Sequence, residues 1–341
     1  MDIVVTPLHL AAADGDAAAE RAYAIEAACR AFEQPDMPPL SRQRFFGGLR
    51  HPWPGDEERH ALAYLDGVPV GRLALTLPQL ENRENAQVVL MVHPEHRRRG
   101  VGRALHDYAV GLLREQSRKR MIGETASMDP AAGRGAPGDA FAAAMGAHPA
   151  LADVRRRLDL TTLDEPELDR LLTAGLTRAE GYSIVRWHGR VPDEYAADVA
   201  YLDSRLIEDA PIGDLTWEAA KPDVDRLRGI EAALDARGLR FYNCGARDDA
   251  TGRLVAWTAI SLTGDCDWHA FQQITLVEPR HRGHRLGIVI KIENLRYART
   301  HEPALRVVDT YNAAVNEYMI SINEALGFQA VAGLNSWQAT I

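Results

Sequence analysis

The sequence predicts an α/β fold laid out twice, and three observations predict it. Strand-like and helix-like segments alternate along the chain rather than gathering into separate blocks. The length, 341 residues, suits two domains of ordinary size. A basic glycine turn, preceded by a proline and followed by an amphipathic helix, occurs once in each half. Gly100 and Gly283 lie 183 residues apart at the same place in the element order, which an internal duplication explains.

In the first half, Ile3–Thr6 is a short β-branched strand. An Ala-rich helix over Asp14–Phe32 follows, ended by Pro35, Pro38 and Pro39, and then a short helix over Arg42–Leu49. Strands His60–Leu65 and Val70–Leu77 flank Asp66-Gly67, a tight-turn pair that signals a hairpin. Ala86–Val92 is a strand running into the basic turn. The helix after it places Val101, Leu105, Tyr108, Leu112 and Leu113 on one face. Met121–Ala126 is a further strand, Asp139–Met145 a short helix, and Val154–Leu160 a strand expected to close this half.

Thr161–Gly181 reads as a helical connector, with a capping box from Thr162 to Glu165 and Pro166 in the first turn. The second half repeats the order. Tyr182–Trp187 is a strand, and helices near Asp193–Ile207 and Pro222–Ala236 follow. Strands Arg240–Ala246, Leu254–Leu262 and Phe271–Val277 lead to the second turn, a helix through about Arg299, the strand Leu305–Asp309 and the helix Ala313–Leu326. The expected division is therefore 1–162, a linker at 163–180, and 181–341.

Composition excludes several classes. The net charge of −9 argues against broad nucleic-acid binding, which shows as a basic excess or stripe. Lys119, Lys221 and Lys291 are the only lysines, so the positive charge is nearly all Arg. No apolar run of about 18 residues is present, and the N-terminal segment lacks a basic leader, so a cytoplasmic protein is expected, with no membrane partner. Cys29, Cys244 and Cys266 are too scattered for a disulfide framework or a metal knuckle, and no metal is expected.

The turns carry the chemistry. Glycine lets the backbone turn sharply and approach a ligand with no Cβ in the way. Turn amides and the free N–H groups of a helix start form an anion nest, and flanking arginines add charge-assisted bonds to phosphate oxygens. This describes a pyrophosphate site. The sequence VVLMVHPEHRRRGVGRALHDYAVGLL resembles the acyl-CoA-binding signature of the GNAT acyltransferase superfamily. That signature is a Gln or Arg, two residues, a Gly, one residue, then Gly or Ala; Arg97, Gly100 and Gly102 fill it. QQITLVEPRHRGHRLGIVIKIENL resembles a second copy, with Arg280 and Gly283 in place, Arg285 at the last position and Gly287 just beyond. The two-copy layout is similar to that of tandem GNAT proteins of actinobacterial type.

The resemblance implies two GNAT-like domains, each a mixed, mostly antiparallel sheet flanked by helices, with acetyl-CoA as co-substrate. It implies cofactor contacts from Met91, Val92, Arg97, Arg98, Arg99, Gly100, Val101 and Gly102 in the first half. In the second half it implies Leu276, Val277, Arg282, Gly283, His284, Arg285, Leu286, Gly287 and Asn316. A β-bulge in the strand before the turn is implied to splay that strand from its neighbour. There a backbone N–H would polarise the thioester carbonyl.

The late-helix signature of the superfamily begins at Asn316 and ends at Gly327-Phe328, with Asn323 where the family places its acidic tyrosine. The first half has Gly135 and Ala142 at those two positions. Chemistry is therefore expected in the second half, on the amine of a small molecule. His269 or Asp309 is the candidate base, or alternatively a solvated polar group and a helix cap. Asp209 and Asp214, in the loop after the second half's first helix, are candidates for drawing in a cationic amine, or else solvated acids. Trp257, Trp268 and Tyr242 line a pocket or belong to the core. A non-catalytic acyl-CoA-binding scaffold is the alternative, hydrolysis or O-acylation a third reading, and a homodimer is compatible with all.

Overall fold

The computed structural model describes residues 2–128 and 137–341; Gly135 lies outside them. The element order is β1 (Ile3–Leu8), α1 (Gly15–Glu33), α2 (Arg42–Arg50), β2 (Asp56–Leu65), β3 (Val68–Pro78), β4 (Asn85–Val92), α3 (Val101–Glu115), β5 (Arg120–Ser127), α4 (Pro137–Ala144) and β6 (His148–Asp159). It continues as α5 (Glu165–Leu176), β7 (Tyr182–His188), α6 (Ala196–Ser204), α7 (Leu206–Asp209), α8 (Val224–Ala236), β8 (Leu239–Asp248), β9 (Leu254–Thr263), β10 (His269–Val277), α9 (Leu286–His301), β11 (Val307–Ala313), α10 (Glu317–Ala325) and β12 (Gln329–Thr340). Every expected element is present within a few residues. Asp66 and Gly67 both take positive φ between β2 and β3, as the tight hairpin requires. The long C-terminal strand β12 is additional.

Two compact units form. The first holds residues 1–153, 212–218 and 332–341; the second holds 154–211 and 219–331. In the first, strands lie in the order β1-β2-β3-β4-β5-β12, and in the second, β6-β11-β10-β9-β8-β7. These boundaries differ from the expected division in three ways. The strand at 154–159 completes the second sheet beside β11 instead of closing the first. The last ten residues complete the first sheet, antiparallel to β5 from Gly333↔Ser127 to Thr340↔Arg120. Residues 212–218 also join the first unit, where the Asp214 N–H donates to the Ala150 carbonyl at 2.8 Å.

The expected connector is a core helix. Asp164, rather than Thr162, caps α5, accepting from the Glu167 N–H at 3.0 Å. Leu168, Leu171 and Leu172 enter the main core of the second unit. A Cβ on Gly175 would lie 2.5 Å from Val289, so glycine lets α5 press against α9. With α5 on one side and the sheet on the other, α9 is buried nearly all round. By contrast, α3 buries one stripe, Val101, Leu105, Ala109 and Leu113, against the first sheet. The three cysteines are buried thiols.

Candidate functional site

Each unit opens its sheet at the strand that leads into the turn. In the first unit the parallel ladder between β4 and β5 runs from Asn85↔Arg120 to Val88↔Gly123 and stops. On its other edge β4 follows β3 without a break as far as Val92. In the second unit the parallel ladder between β10 and β11 stops at Gln272↔Thr310. Against β9, β10 holds one extra residue between Gln272 and Thr275, which is a β-bulge. Buried side chains pin it. The Gln272 amide donates to Thr258 Oγ1 and to the Ala259 carbonyl, both at 2.9 Å, and Thr258 Oγ1 donates to the Ile274 carbonyl at 3.0 Å. The implied bulge is thus present in β10 and not in β4.

The turns superimpose in hydrogen bonding and backbone, with an offset that corrects the sequence alignment. Arg97 Nε donates to the Val92 carbonyl at 3.0 Å, and Arg282 Nε donates to the Val277 carbonyl at 3.2 Å. Positive φ falls on Arg98 (63°) and Gly100 (88°) in the first turn, and on Gly283 (87°) and Arg285 (55°) in the second. Gly100 and Arg285 are the left-handed residues that precede α3 and α9. Arg282, Arg285 and Gly287 therefore match Arg97, Gly100 and Gly102, and Gly283 matches Arg98. Arg280 is not the signature arginine, and Gly287 rather than Arg285 holds the last position. Each turn needs two left-handed residues, and each spends its glycine on a different one. The arginine at the other bears a cost of roughly 1 kcal/mol.

The signature arginine is held alike in both units. Arg97 Nη2 bonds Glu33 at the end of α1 at 2.6 Å, and the guanidinium lies over Phe32. Arg282 Nη2 approaches Asp209 at the end of α7 at 3.2 Å. Asp209 also accepts from Arg205 at 3.0 and 2.8 Å, so this carboxylate is engaged by two arginines and fastens the turn. Asp214 belongs to the first unit, whereas Asp209 belongs to the second. Arg98, Arg99, Gly283, His284 and Arg285 are exposed, with His284 Nδ1 3.2 Å from the Arg178 carbonyl. Val101, Leu276 and Leu286 are core side chains, and Met91, Val92 and Val277 are half-buried.

The candidate base is sealed. His269 Nε2 lies 3.0 Å from Asp309 Oδ2, and Asp309 accepts from Arg157 at 2.7 and 2.8 Å and from Arg155 at 3.2 Å. His269 is 3% exposed and Asp309 0%, which places the pair in a closed ion cluster. Burial alone would raise the Asp309 carboxyl, but bonds from Arg157 and His269 outweigh it and hold it at about 2. So acidic a group is a poor base at neutral pH. Asn316 caps α10, accepting from the Met319 N–H at 3.1 Å. Tyr242 is core, and its hydroxyl donates to Glu302 at 2.6 Å.

Three features escape a sequence reading. The Tyr318 hydroxyl stands 4.0 Å from where a Cβ on Gly287 would be, over the start of α9. In the first unit the Phe141 ring lies 3.1 Å from the same point at Gly102. An aromatic residue on the late helix is too common a signal to mark either. The third is Lys291, fully buried on α9, with Nζ donating to Asn323 Oδ1 at 2.8 Å. Among the described residues one trio has metal-ligand chemistry: His93, Glu95 and His96, ahead of the first turn, with ligand atoms within 4.8 Å of one another.

The Acetyltransferase (GNAT) family matches residues 20–133. A tandem GNAT protein from the clavulanic acid biosynthesis pathway is 32% identical over 99% of this chain and 98% of its own, with a TM-score of 0.82. A GCN5-related N-acetyltransferase from Sphaerobacter thermophilus shares the fold at 14% identity, over 99% of this chain and 95% of its own, with a TM-score of 0.62. No curated protein matches the sequence.

Proposed function

The chain belongs to the GNAT acetyltransferase family in its tandem form, and from that premise we propose that it is an acetyl-CoA-dependent N-acyltransferase acting on a small-molecule amine, with the chemistry in the second unit. The observation that carries the reading is the pinned bulge in β10, which frees a strand edge directly before a phosphate turn. The pyrophosphate would sit on the amides after Arg282 and at the start of α9, with Arg285 and the Tyr318 hydroxyl beside it. The pantetheine arm would add to the free edge of β10 beyond Gln272, where a backbone N–H faces the thioester carbonyl. The amine attacks in its neutral form, the new C–N bond forms, and the C–S bond breaks. His269 and Asp309 act from below as a fixed ion cluster that sets the strand spacing.

Titration calorimetry with acetyl-CoA tests this. Gly287→Asp sets a carboxylate against the incoming phosphates and is expected to weaken binding at the second unit at least a hundredfold, with thiol release in an amine screen lost alongside. Gly102→Asp should leave that release intact. Release that survives Gly287→Asp and disappears with Gly102→Asp would move the chemistry to the first unit.

The Gln272 side chain pins the bulge in β10. Gln272→Leu removes its pin and is expected to lower turnover about tenfold or more, since a misplaced oxyanion donor acts on the transition state, while the Kd for CoA stays within about threefold. Equal losses in both would show that the bulge serves binding only.

A non-catalytic acyl-CoA-binding protein is the second reading, favoured by the sealed His269–Asp309 cluster. Sustained thiol release above the buffer rate with any amine excludes it. No helix among the described residues is long and apolar enough to cross a membrane. A cytoplasmic location and the freedom from metal and nucleic acid remain part of the proposal, as does a homodimer.

A further inference from the structure

The segment between β4 and the first glycine turn brings three metal-ligand side chains together. The ligand atoms of His93, Glu95 and His96 lie within 4.8 Å of one another. Local sequence sets this arrangement. Pro94 opens a single 3-10 turn over residues 94–96, capped by His93, and the His96 N–H donates to the His93 carbonyl at 2.9 Å. Side chains three residues apart eclipse one another in such a turn. The two imidazole rings accordingly stand 5.5 Å apart at their centres, half-buried, with Glu95 exposed beside them.

A second observation points to a ligand. His96 Nδ1 is withdrawn from water and has no hydrogen-bond partner among the described residues, a costly state for a ring nitrogen. The second turn shows how such a histidine is otherwise satisfied. His281, which matches His96, has protein groups at both ring nitrogens: the Tyr182 hydroxyl 2.9 Å from Nδ1, and the Glu278 carboxylate 3.6 Å from Nε2. Arg280 stands where the first turn has Glu95, and a guanidinium, being a donor only, cannot ligate a cation. The trio is therefore a property of the first turn and not of the duplicated plan.

We propose that His93, Glu95 and His96, the last through its orphaned Nδ1, bind one divalent transition-metal ion of the zinc type, which fixes the segment leading into Arg97. Two imidazoles and a carboxylate suit zinc, nickel or copper, whereas magnesium and calcium take oxygen ligands. Metal–nitrogen bonds of about 2.0–2.1 Å put the ligand atoms of one ion about 3–3.5 Å from one another. The three side chains thus close slightly on the cation, and water completes its shell. The ligands lie between Val92 and Arg97, which the bond from Arg97 Nε to the Val92 carbonyl already ties together, so the ion braces a loop closed at both ends. It takes no part in acyl transfer, which is placed in the second unit and needs no metal. The expectation of a metal-free chain rested on its scattered cysteines, and these ligands are histidine and carboxylate.

The test uses the full chain without a histidine tag, stripped with a chelator, and Zn²⁺ and Co²⁺ as probes. Co²⁺ is expected to develop visible absorption that saturates at one ion per chain and is displaced by Zn²⁺. Zn²⁺ should raise the melting temperature of the first unit, because it binds the folded form. Glu95→Gln, a change at an exposed side chain, should weaken binding more than about tenfold, since even losing the partner of a metal ligand costs that much. His96→Gln should do the same, and His281→Gln in the second turn should leave binding unchanged. Absence of saturable binding below about 1 mM, the range of very weak complexes, overturns the inference and needs no variant to fold. Binding that survives both Glu95→Gln and His96→Gln, or that is lost with His281→Gln, also overturns it, because the ion then sits elsewhere.

Discussion

Asp309→Asn is expected to cost about 3–5 kcal/mol of stability, because it takes the carboxylate away from the buried Arg155 and the half-buried Arg157. Arg155 is fully buried, and the Asp309 carboxylate receives bonds from Arg155, Arg157 and His269. Asparagine keeps one acceptor oxygen, loses the charge, and turns an N–H donor toward guanidinium groups that are donors only. Thermal melting should therefore shift strongly downward. Thiol release measured well below the new melting temperature should persist. A variant with normal stability and no turnover would restore Asp309 as a base and sink the structural assignment. The same group makes a pH signature. Its carboxyl ionises at about 2 in the folded chain, below the ordinary 3.8. Its contribution is fully present above pH 4 and lost as pH falls toward 2, since the unfolded chain binds the proton more readily in that window. The difference in stability between parent and Asp309→Asn should shrink over that range.

Ending the chain at Val331 is expected to unfold the first unit, even though its own first 153 residues remain. The deleted segment pairs with β5 at eight successive positions. It buries Trp337, Ala332 and Ala339, and Trp337 Nε1 donates to Thr125 Oγ1 at 2.9 Å. Gln338 Oε1 accepts from the Thr216 N–H at 2.9 Å, which holds the 212–218 segment in place. Deleting the indole alone costs about 3–5 kcal/mol, and each ladder bond adds about 1 kcal/mol. Together they approach the about 5–15 kcal/mol that holds a domain folded. Loss of one unfolding transition and rapid proteolysis within residues 2–128 are the expected readouts. Trp337→Ala should give a graded version of the same effect. A truncated chain with both transitions intact would show that β12 is an ornament on a sheet stable without it.

Much of this was legible beforehand because it is written in local chemistry. Asp66-Gly67 can form a tight hairpin turn whatever surrounds it, since both residues accept positive φ. The stripe of Val101, Leu105 and Leu113 announces a helix with one buried face. A proline, a run of basic residues and a glycine before a helix mark the same turn in both halves. The second alignment failed at one point for a physical reason: glycine is the visible mark of left-handed backbone, but the turn has two such positions and an arginine fills one of them in each half. The backbone angles of Arg98 and Arg285 show this, and no pattern of letters does.

The site residues divide the same way. Gly102, Arg97 and Gly287 act through their own backbone or type, so their positions could be read from the chain. Asp209, His269 and Asp309 are named for their acid–base chemistry, yet what they do depends on arginines that are mostly distant in the chain: Arg282, beside the neighbouring Arg205, for the first, and Arg155 and Arg157 for the others. Lys291 gave no signal, being one of several charged residues on α9, until Asn323 of α10 and Phe328 closed around it.

By itself, then, the sequence determined every element but β12, the doubled plan and the two basic glycine turns, because hydrophobic period, glycine and proline act within a few residues. Only the tertiary structure decided which sheet each strand completes and which titratable groups are free. A strand of alternating side chains pairs equally well in either half, so long-range packing assigns β6 to the second sheet and β12 to the first. Likewise a carboxylate or an amine has no fixed role until burial and its partners set its charge.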